Sequence, residues 1–394
     1  MANINEYLLW RGDLPINAKY KFNEIDSMLL ARFSYLIFGQ IDMKPQETIG
    51  SIAEKMKNFS NEDFIYNGDK EMITNLGQSE RFKDMLVTDF REHNDKQSEK
   101  QFGAITIHPS SKEMYISYIG TDMSIYGWKE DFNMAFMDNV PCQIEGKEYA
   151  EEIAKKFPDK KIRIGGHSKG GNVAIFSAIA QNQEIQERII KVYNYDGPGF
   201  NKKIIEKYGN NKIVHKIETY IPQDSVVGRL LNHKEKTTIV LSTEKGILQH
   251  DIFSWQVLKD DMIRLEKNTK TSEDIDKTLT DWLEVTTEQQ RKIVVDAVFE
   301  ILYSTEESTF SDMSKNLSTN LPKIFKKYGE ISKEDKEMMS KMIKIILTSY
   351  MSQVKKRSSS KWDEKKEEYM IKGKTKLKEF DQKYLKKFRK EEKK

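Results

Sequence analysis

Cysteine is almost absent from this sequence, which has only Cys142 among its 394 residues. A single cysteine cannot form an internal disulfide, so a disulfide-stabilised secreted domain is excluded and a reducing compartment is indicated. Long apolar runs are also missing, since no window approaches the roughly 18 apolar residues of a membrane span. The first ten residues do not place a basic segment before an apolar one. We therefore expect no signal peptide and a cytoplasmic location.

Metal-binding patterns are missing as well. The chain contains neither an H-E-x-x-H nor an H-x-x-x-H motif, and its lone cysteine cannot build a thiolate site. We therefore expect no metal and no cofactor.

Charge is nearly balanced over the whole chain, at +3, but it is unevenly distributed. The segment Met351–Lys394 carries 17 Lys and Arg residues against eight Asp and Glu residues. A basic segment of this kind can bind an anionic membrane surface. Its interleaved acids, and the lack of a basic platform with aromatic residues, favour a solvated helix instead and argue against nucleic acid.

Hydrophobic periodicity divides the chain into four parts. Residues 1–100 predict a helical N-terminal segment packed on the core, with Ser79–Asp89 as one of its amphipathic stretches. In residues 101–260 strands alternate with helices, which predicts an α/β core with a mainly parallel sheet covered on both faces. Strand signals stop beyond Asp260, so residues 261–354 predict a helical domain, and residues 355–394 a lysine-rich helix or disordered tail.

The most informative stretch is I-R-I-G-G-H-S-K-G-G-N-V-A, residues Ile162–Ala174. A short apolar strand runs into a glycine-rich corner and then into an apolar helix. Gly166, Ser168 and Gly170 form the G-x-S-x-G pattern of a nucleophile elbow at that corner. The glycines let strand and helix pass closely, and the helix N-terminus favours developing negative charge. Ser168 is therefore the predicted nucleophile, against the alternative of an inert serine in a glycine-rich turn.

A serine hydroxyl needs a base, and the base needs an acid that orients it. The six histidines are His93, His108, His167, His215, His233 and His250. His250 follows the last strand of the core, where the chain order Ser…Asp…His of this elbow class puts the base. Two aspartates that end strands compete for the acid. We expect Asp224, because Asp196 lies in an Asp-Gly-Pro-Gly turn where capping the turn is a sufficient role.

The negative oxygen of a tetrahedral intermediate needs two N–H donors. In an elbow of this class one comes from the residue after the nucleophile, here Lys169, and the other from a loop after an earlier strand. Gly120-Thr121 follows such a strand, so Thr121 is the second candidate.

Five blocks of the chain resemble blocks of known families. Tyr118–Asp122, Gly166–Asn172 and Asp224–Val226 are similar to the oxyanion strand, the G-H-S-L-G-G elbow and the D-x-V block of class 3 (fungal-type) lipases. Leu9–Asp13, Gly127–Asn133 and the same elbow resemble the Mbeg-like bacterial proteins, a branch of the α/β-hydrolases.

The resemblance covers about residues 1–260. It implies an α/β-hydrolase fold with Ser168 as nucleophile, Asp224 as acid, His250 as base and Thr121 in the oxyanion hole. Two positions differ from the lipase pattern, with Ile119 in place of an arginine and Lys169 in place of a leucine. A cation beside the nucleophile leads us to expect an anionic substrate.

These features predict a serine hydrolase of carboxylic esters, lipase- or lysophospholipase-like, working through an acyl-enzyme. Acyl transfer by the same triad is the second hypothesis. A non-catalytic interaction protein that retains the fold is the third, since the C-terminal region is large and helical.

Overall fold

The computed structural model describes residues 2–66, 68–122, 124–307, 313 and 316–340. The strands, in chain order, are β1 (Gln46–Thr48), β2 (Leu86–Asp95), β3 (Lys100–His108), β4 (Glu113–Tyr118), β5 (Lys161–His167), β6 (Ile189–Tyr195), β7 (Ile217–Pro222), β8 (Thr237–Val240), β9 (Val257–Leu258), β10 (Asp261–Met262) and β11 (Arg264–Leu265). The helices are α1 (Ile4–Arg11), α2 (Glu24–Phe33), α3 (Ile49–Met56), α4 (Asp69–Gln78), α5 (Ile125–Asn133), α6 (Pro141–Lys156), α7 (Lys169–Ile179), α8 (Gln183–Arg188), α9 (Lys202–Tyr208), α10 (Lys270–Val285), α11 (Glu288–Tyr303) and α12 (Leu317–Glu330).

A nine-stranded sheet organises this described part of the chain, in the order β1-β2-β3-β4-β5-β6-β7-β8-β11. Strands β4 to β8 are parallel and adjacent in chain order. The strands β1 to β3 and β11 extend the sheet antiparallel at its two edges. Because parallel strands share one carboxyl edge, the loops after β4, β5, β6 and β7 emerge side by side. The predicted α/β class with a mainly parallel sheet is confirmed.

Each face of the sheet covers its own apolar core. On β4, Tyr115 belongs to one core, while Met114 and Ile116 belong to the other, as the two-residue period of a strand requires. Helix α2 packs against β4, β5 and β6 on the first face, and α6 and α7 pack on the second. This layering buries the parallel strands on both sides, which leaves their carboxyl edge as the accessible place for chemistry.

The N-terminal hundred residues contain the predicted helices but also two strands of the sheet. The predicted amphipathic stretch Ser79–Asp89 is wrong, because α4 ends at Gln78, a turn follows, and β2 begins at Leu86. Strand β2 forms a long hairpin with β3, with an irregularity between Thr88 and Arg91. Its polar run Arg91–Asp95 lies near the edge of the sheet and is largely solvated, so it lacks the apolar alternation by which a strand is recognised.

The helical C-terminal extension begins at α10, after the short strands β10 and β11, which the sequence did not indicate. Val295 and Phe299 of α11 pack with Ile125 of α5, in a small core of their own. The described residues all belong to one compact unit, which ends at Met342. The predicted basic tail lies outside the described residues, and the domain boundaries at 100, 260 and 354 stay predictions.

Candidate active site

The corner between β5 and α7 has the backbone of a nucleophile elbow. Ser168 has φ 58° and ψ −134°, a left-handed φ that a residue with a side chain adopts at a cost. A Cβ on Gly166 would lie 2.3 Å from the carbonyl carbon of Gly170, so any larger residue would push strand and helix apart. The Ser168 N–H donates to the Tyr195 carbonyl at 2.9 Å, which fixes the corner against β6. The side chain of this strained serine remains partly exposed at the carboxyl edge.

A histidine–aspartate pair lies at the same edge. Nδ1 of His250 is 2.7 Å from Oδ2 of Asp196, and the carboxylate is buried, at 1% exposure. The other carboxylate oxygen, Oδ1, accepts hydrogen bonds from the Ser225 hydroxyl at 2.5 Å and from the Gly228 N–H at 3.1 Å. Asp196 is therefore held in one orientation by three donors, a geometry suited to fixing the tautomer of His250.

The predicted acid, Asp224, does not meet His250, so that expectation is wrong. Its carboxylate accepts hydrogen bonds from the Thr269 hydroxyl and from the Gln249 amide. Both aspartates follow neighbouring strands, but β6 adjoins β5 while β7 lies one strand further from the elbow. In the Asp-Ser-Val block it is Ser225 that contributes to the site, through its hydrogen bond to Asp196.

Two sequence features are compatible with Asp196 as the acid. It follows the strand next to the elbow strand, and its Asp-Gly-Pro-Gly turn permits a left-handed residue, which Asp196 is at φ 51°. Asn172 of the elbow helix holds this turn, since its amide donates to the carbonyls of Pro198 and Gly199 at 3.1 and 2.8 Å. The turn therefore does more than reverse the chain, because it holds Asp196 in the orientation that contacts His250.

Lys169 does not present a cation to a substrate, so the expected preference for an anionic substrate loses its basis. Its Nζ is buried, 2.9 Å from Oε2 of Glu130 on α5 and 3.0 Å from the Gln101 carbonyl. Burial acts to lower the pKa of Lys169, but Glu130 and Asp131 outweigh it and hold the pKa above its usual value. Lys169 begins α7, so its N–H has no acceptor within the helix. The predicted oxyanion role of Lys169 concerns this N–H and not the side chain, and it stays a prediction.

Thr121 lies in the loop after β4, on the opposite side of the elbow from Asp196. The loop is close to the elbow, since a Cβ on Gly170 would lie 2.3 Å from the Tyr118 carbonyl oxygen. The Thr121 hydroxyl donates to Oδ2 of Asp131 at 2.5 Å. Burial raises the pKa of Asp131 to about 6, and its other oxygen is buried without a hydrogen-bond partner. Asp131 thus fixes the rotamer of Thr121 and was not identified from the sequence.

Comparison with known proteins identifies the family to which this chain belongs. A family model described as Mbeg1-like matches residues 76–300, which is more than half of the chain. The chain belongs to the Mbeg1-like family. The matched region contains Thr121, Ser168, Asp196 and His250 together. No curated protein matches the sequence.

Solved structures with similar folds include several lipases. MDLA of Penicillium cyclopium matches with 13% identity and a TM-score of 0.37, over 64% of this chain and 87% of that one. The Lip2 lipase of Yarrowia lipolytica matches with 11% identity and a TM-score of 0.31, over 49% and 84%. A fungal lipase–inhibitor complex matches with 16% identity and a TM-score of 0.31, over 40% of this chain and 66% of the lipase.

Two other kinds of site are absent from the residues that the structure describes in this Mbeg1-like chain. Among those residues, no group of three or more His, Cys, Asp or Glu side chains is arranged to hold a metal ion. None of the helices there is long and apolar enough to cross a membrane.

Proposed function

We propose that this chain is a serine hydrolase of carboxylic esters. The contact of 2.7 Å between His250 Nδ1 and the buried Asp196 carboxylate carries the proposal, because it lies beside a strained serine at the same sheet edge. A buried carboxylate that orients a histidine next to a nucleophile elbow is the arrangement that activates serine in hydrolases.

In the proposed reaction, the Ser168 oxygen attacks the ester carbonyl carbon while His250 Nε2 accepts the hydroxyl proton. Asp196 stabilises the resulting imidazolium, and the N–H groups of Lys169 and Thr121 bind the negative oxygen of the tetrahedral intermediate. The intermediate then expels the alcohol, which takes the proton from His250. Water, activated by the same histidine, attacks the acyl-enzyme, and the carboxylic acid is released as Ser168 regains its proton.

Apolar side chains support a lipid-like acyl group in the substrate. Trp128 and Phe132 of α5, which begins four residues after Thr121, are 36% and 50% exposed. Leu248, two residues before His250, is 64% exposed. Apolar surface of this kind, on the helix after the Thr121 loop and in the loop that carries His250, suits an aliphatic chain. A lipase- or lysophospholipase-like substrate is therefore the finer form of the proposal.

The test uses a fluorophosphonate probe and a panel of p-nitrophenyl esters on wild type and Ser168→Ala. We expect the wild type to be labelled at Ser168 and to hydrolyse the esters, and the variant to lose at least about 10³-fold in kcat/KM. Equal activity of the two proteins would contradict the assignment of the nucleophile. Absence of both labelling and turnover in folded wild type would favour the non-catalytic interaction protein. Acyl products formed with added alcohols or hydroxylamine would identify an acyltransferase.

A further inference from the structure

His167 directly precedes the proposed nucleophile. It contacts His250 in a way that the proposed triad does not require. Its buried ring faces the ring of His250, with 4.5 Å between ring centroids and 35° between planes. Nε2 of His167 is 2.7 Å from the main-chain carbonyl oxygen of His250. A carbonyl oxygen can only accept a hydrogen bond, so this nitrogen carries the proton.

The second ring nitrogen and the surroundings keep His167 neutral. Burial, followed by the charges of His250 and Arg32, holds the pKa of His167 well below its usual range. Nδ1 lies 3.3 Å from the Tyr35 hydroxyl, which donates at 2.8 Å to the His167 carbonyl. His167 is thus fixed as the neutral tautomer with its proton on Nε2, directed at the loop that carries His250, which we call the base loop.

Tyr35 extends this contact to the third loop of the site. The Tyr35 hydroxyl lies against Gly120, so closely that a Cβ on that glycine would lie 1.9 Å from it. Gly120 immediately precedes Thr121. Tyr35 and His167 therefore connect the elbow, the base loop and the Gly120-Thr121 loop, which we call the oxyanion loop. They do so through buried hydrogen bonds and close packing.

We propose that His167 is a positioning residue for His250. Asp196 orients the imidazole of His250, and His167 fixes the main chain that carries it. Both constraints are needed, because the orientation of the imidazole is defined only if the main chain that carries it is also fixed. The inference rests on the proposed function, since it assigns a role in aligning the base of that reaction.

Two substitutions separate the hydrogen bond from the packing. His167→Gln keeps an N–H donor that reaches toward the His250 carbonyl, while His167→Phe keeps a ring but leaves that carbonyl without its donor. His108→Gln is the matched control. His108 is another buried histidine, whose pKa burial lowers to about 4, and it ends β3 at the opposite edge of the sheet.

We expect His167→Phe to lower kcat for p-nitrophenyl butyrate about 10- to 100-fold with KM within about twofold, because a misplaced base slows the chemical step without weakening binding. His167→Gln should recover most of that loss, and His108→Gln should keep wild-type kcat. Equal losses in the Gln and Phe variants, or a Phe variant with wild-type kcat, would overturn the proposal. The fluorophosphonate labelling rate should follow kcat, and thermal unfolding of each variant identifies losses that are due to instability alone.

A second measurement does not depend on activity. In protein with ¹⁵N-labelled histidine, NMR should show His167 still as the neutral Nε2–H tautomer at the pH where an ordinary histidine is half protonated, given its lowered pKa. A His167 that titrates near its ordinary pKa, or that carries its proton on Nδ1, would overturn the proposal even in an inactive protein. Absence of esterase activity together with the expected NMR spectrum would instead contradict the proposed function, so the two failures are distinguishable.

Discussion

At the scale of single residues, the site depends on which carboxylate meets the base. Asp196 and Asp224 both follow parallel strands and both lie near the carboxyl edge of the sheet. Only Asp196 contacts the imidazole, and it is also the one whose second oxygen is held by Ser225 and Gly228. Asp224 accepts a hydrogen bond from Gln249, the residue before His250, and so supports the base loop without contacting His250 itself.

Replacing each aspartate by asparagine tests this difference. We expect Asp196→Asn to lower kcat about 10²- to 10⁴-fold, because an amide can stabilise neither the correct tautomer nor the imidazolium. Asp224→Asn should cost less than about tenfold, since its oxygen can still accept a hydrogen bond from Thr269. Kinetics on p-nitrophenyl esters measure both effects. The reverse order of losses would show that Asp224 is the acid after all.

At the scale of elements, a buried ion pair joins the elbow helix α7 to α5. Glu130 accepts from the Lys169 ammonium, and also from the N–H groups of Gln101 and Cys142 at 3.1 and 2.8 Å. The helix that follows the oxyanion loop is therefore anchored to the helix that follows the nucleophile. The pair keeps the two proposed N–H donors, those of Thr121 and Lys169, in a fixed relation.

This pair predicts an asymmetric response of stability to mutation. Lys169→Met should reduce the free energy of unfolding by about 3–5 kcal/mol, because it leaves the Glu130 charge buried and unpaired. The double variant Lys169→Met with Glu130→Gln should lose clearly less, since it removes both charges and the Gln side chain still accepts an N–H. Guanidinium unfolding of the single and double variants measures the difference. A double variant less stable than Lys169→Met would contradict the account.

At the scale of the whole molecule, the site imposes a pH dependence on stability. The folded-state pKa of Asp131, raised to about 6 chiefly by burial, lies above the ordinary value of about 3.9. Between these values the folded chain binds more protons than the unfolded chain. This contribution to stability is therefore present below about pH 4 and is lost as the pH rises through about 6.

The variant Asp131→Asn isolates that contribution. It cannot ionise, and its amide oxygen can still accept from Thr121. We expect its free energy of unfolding, relative to wild type, to increase by about 2 kcal/mol from pH 4 to pH 7. Urea unfolding at a series of pH values gives the curve. A difference that stays constant over this range would show that Asp131 ionises in the folded chain as it does in the unfolded one.

The sequence by itself determined the elbow and the layering of the core. The Gly166–Gly170 spacing is a local steric requirement, and the alternation of strands with helices requires a parallel sheet covered on both faces. His250 could be selected because chain order after the last core strand is readable from sequence. Strand β2 could not be predicted from the sequence. Solvated positions near the edge of a sheet tolerate charged residues, so the strand lacks the alternation of apolar and polar residues.

Only the tertiary structure decided the partners of these residues. Asp196 meets His250 because β6 adjoins β5 and its turn is held by Asn172, whereas the sequence offers two aspartates in equivalent strand positions. Lys169 is neutralised by Glu130, a residue 39 positions away on another helix. The contact of His167 with the His250 carbonyl spans 83 positions. Distances of this kind depend on how the chain packs, and no local pattern encodes them.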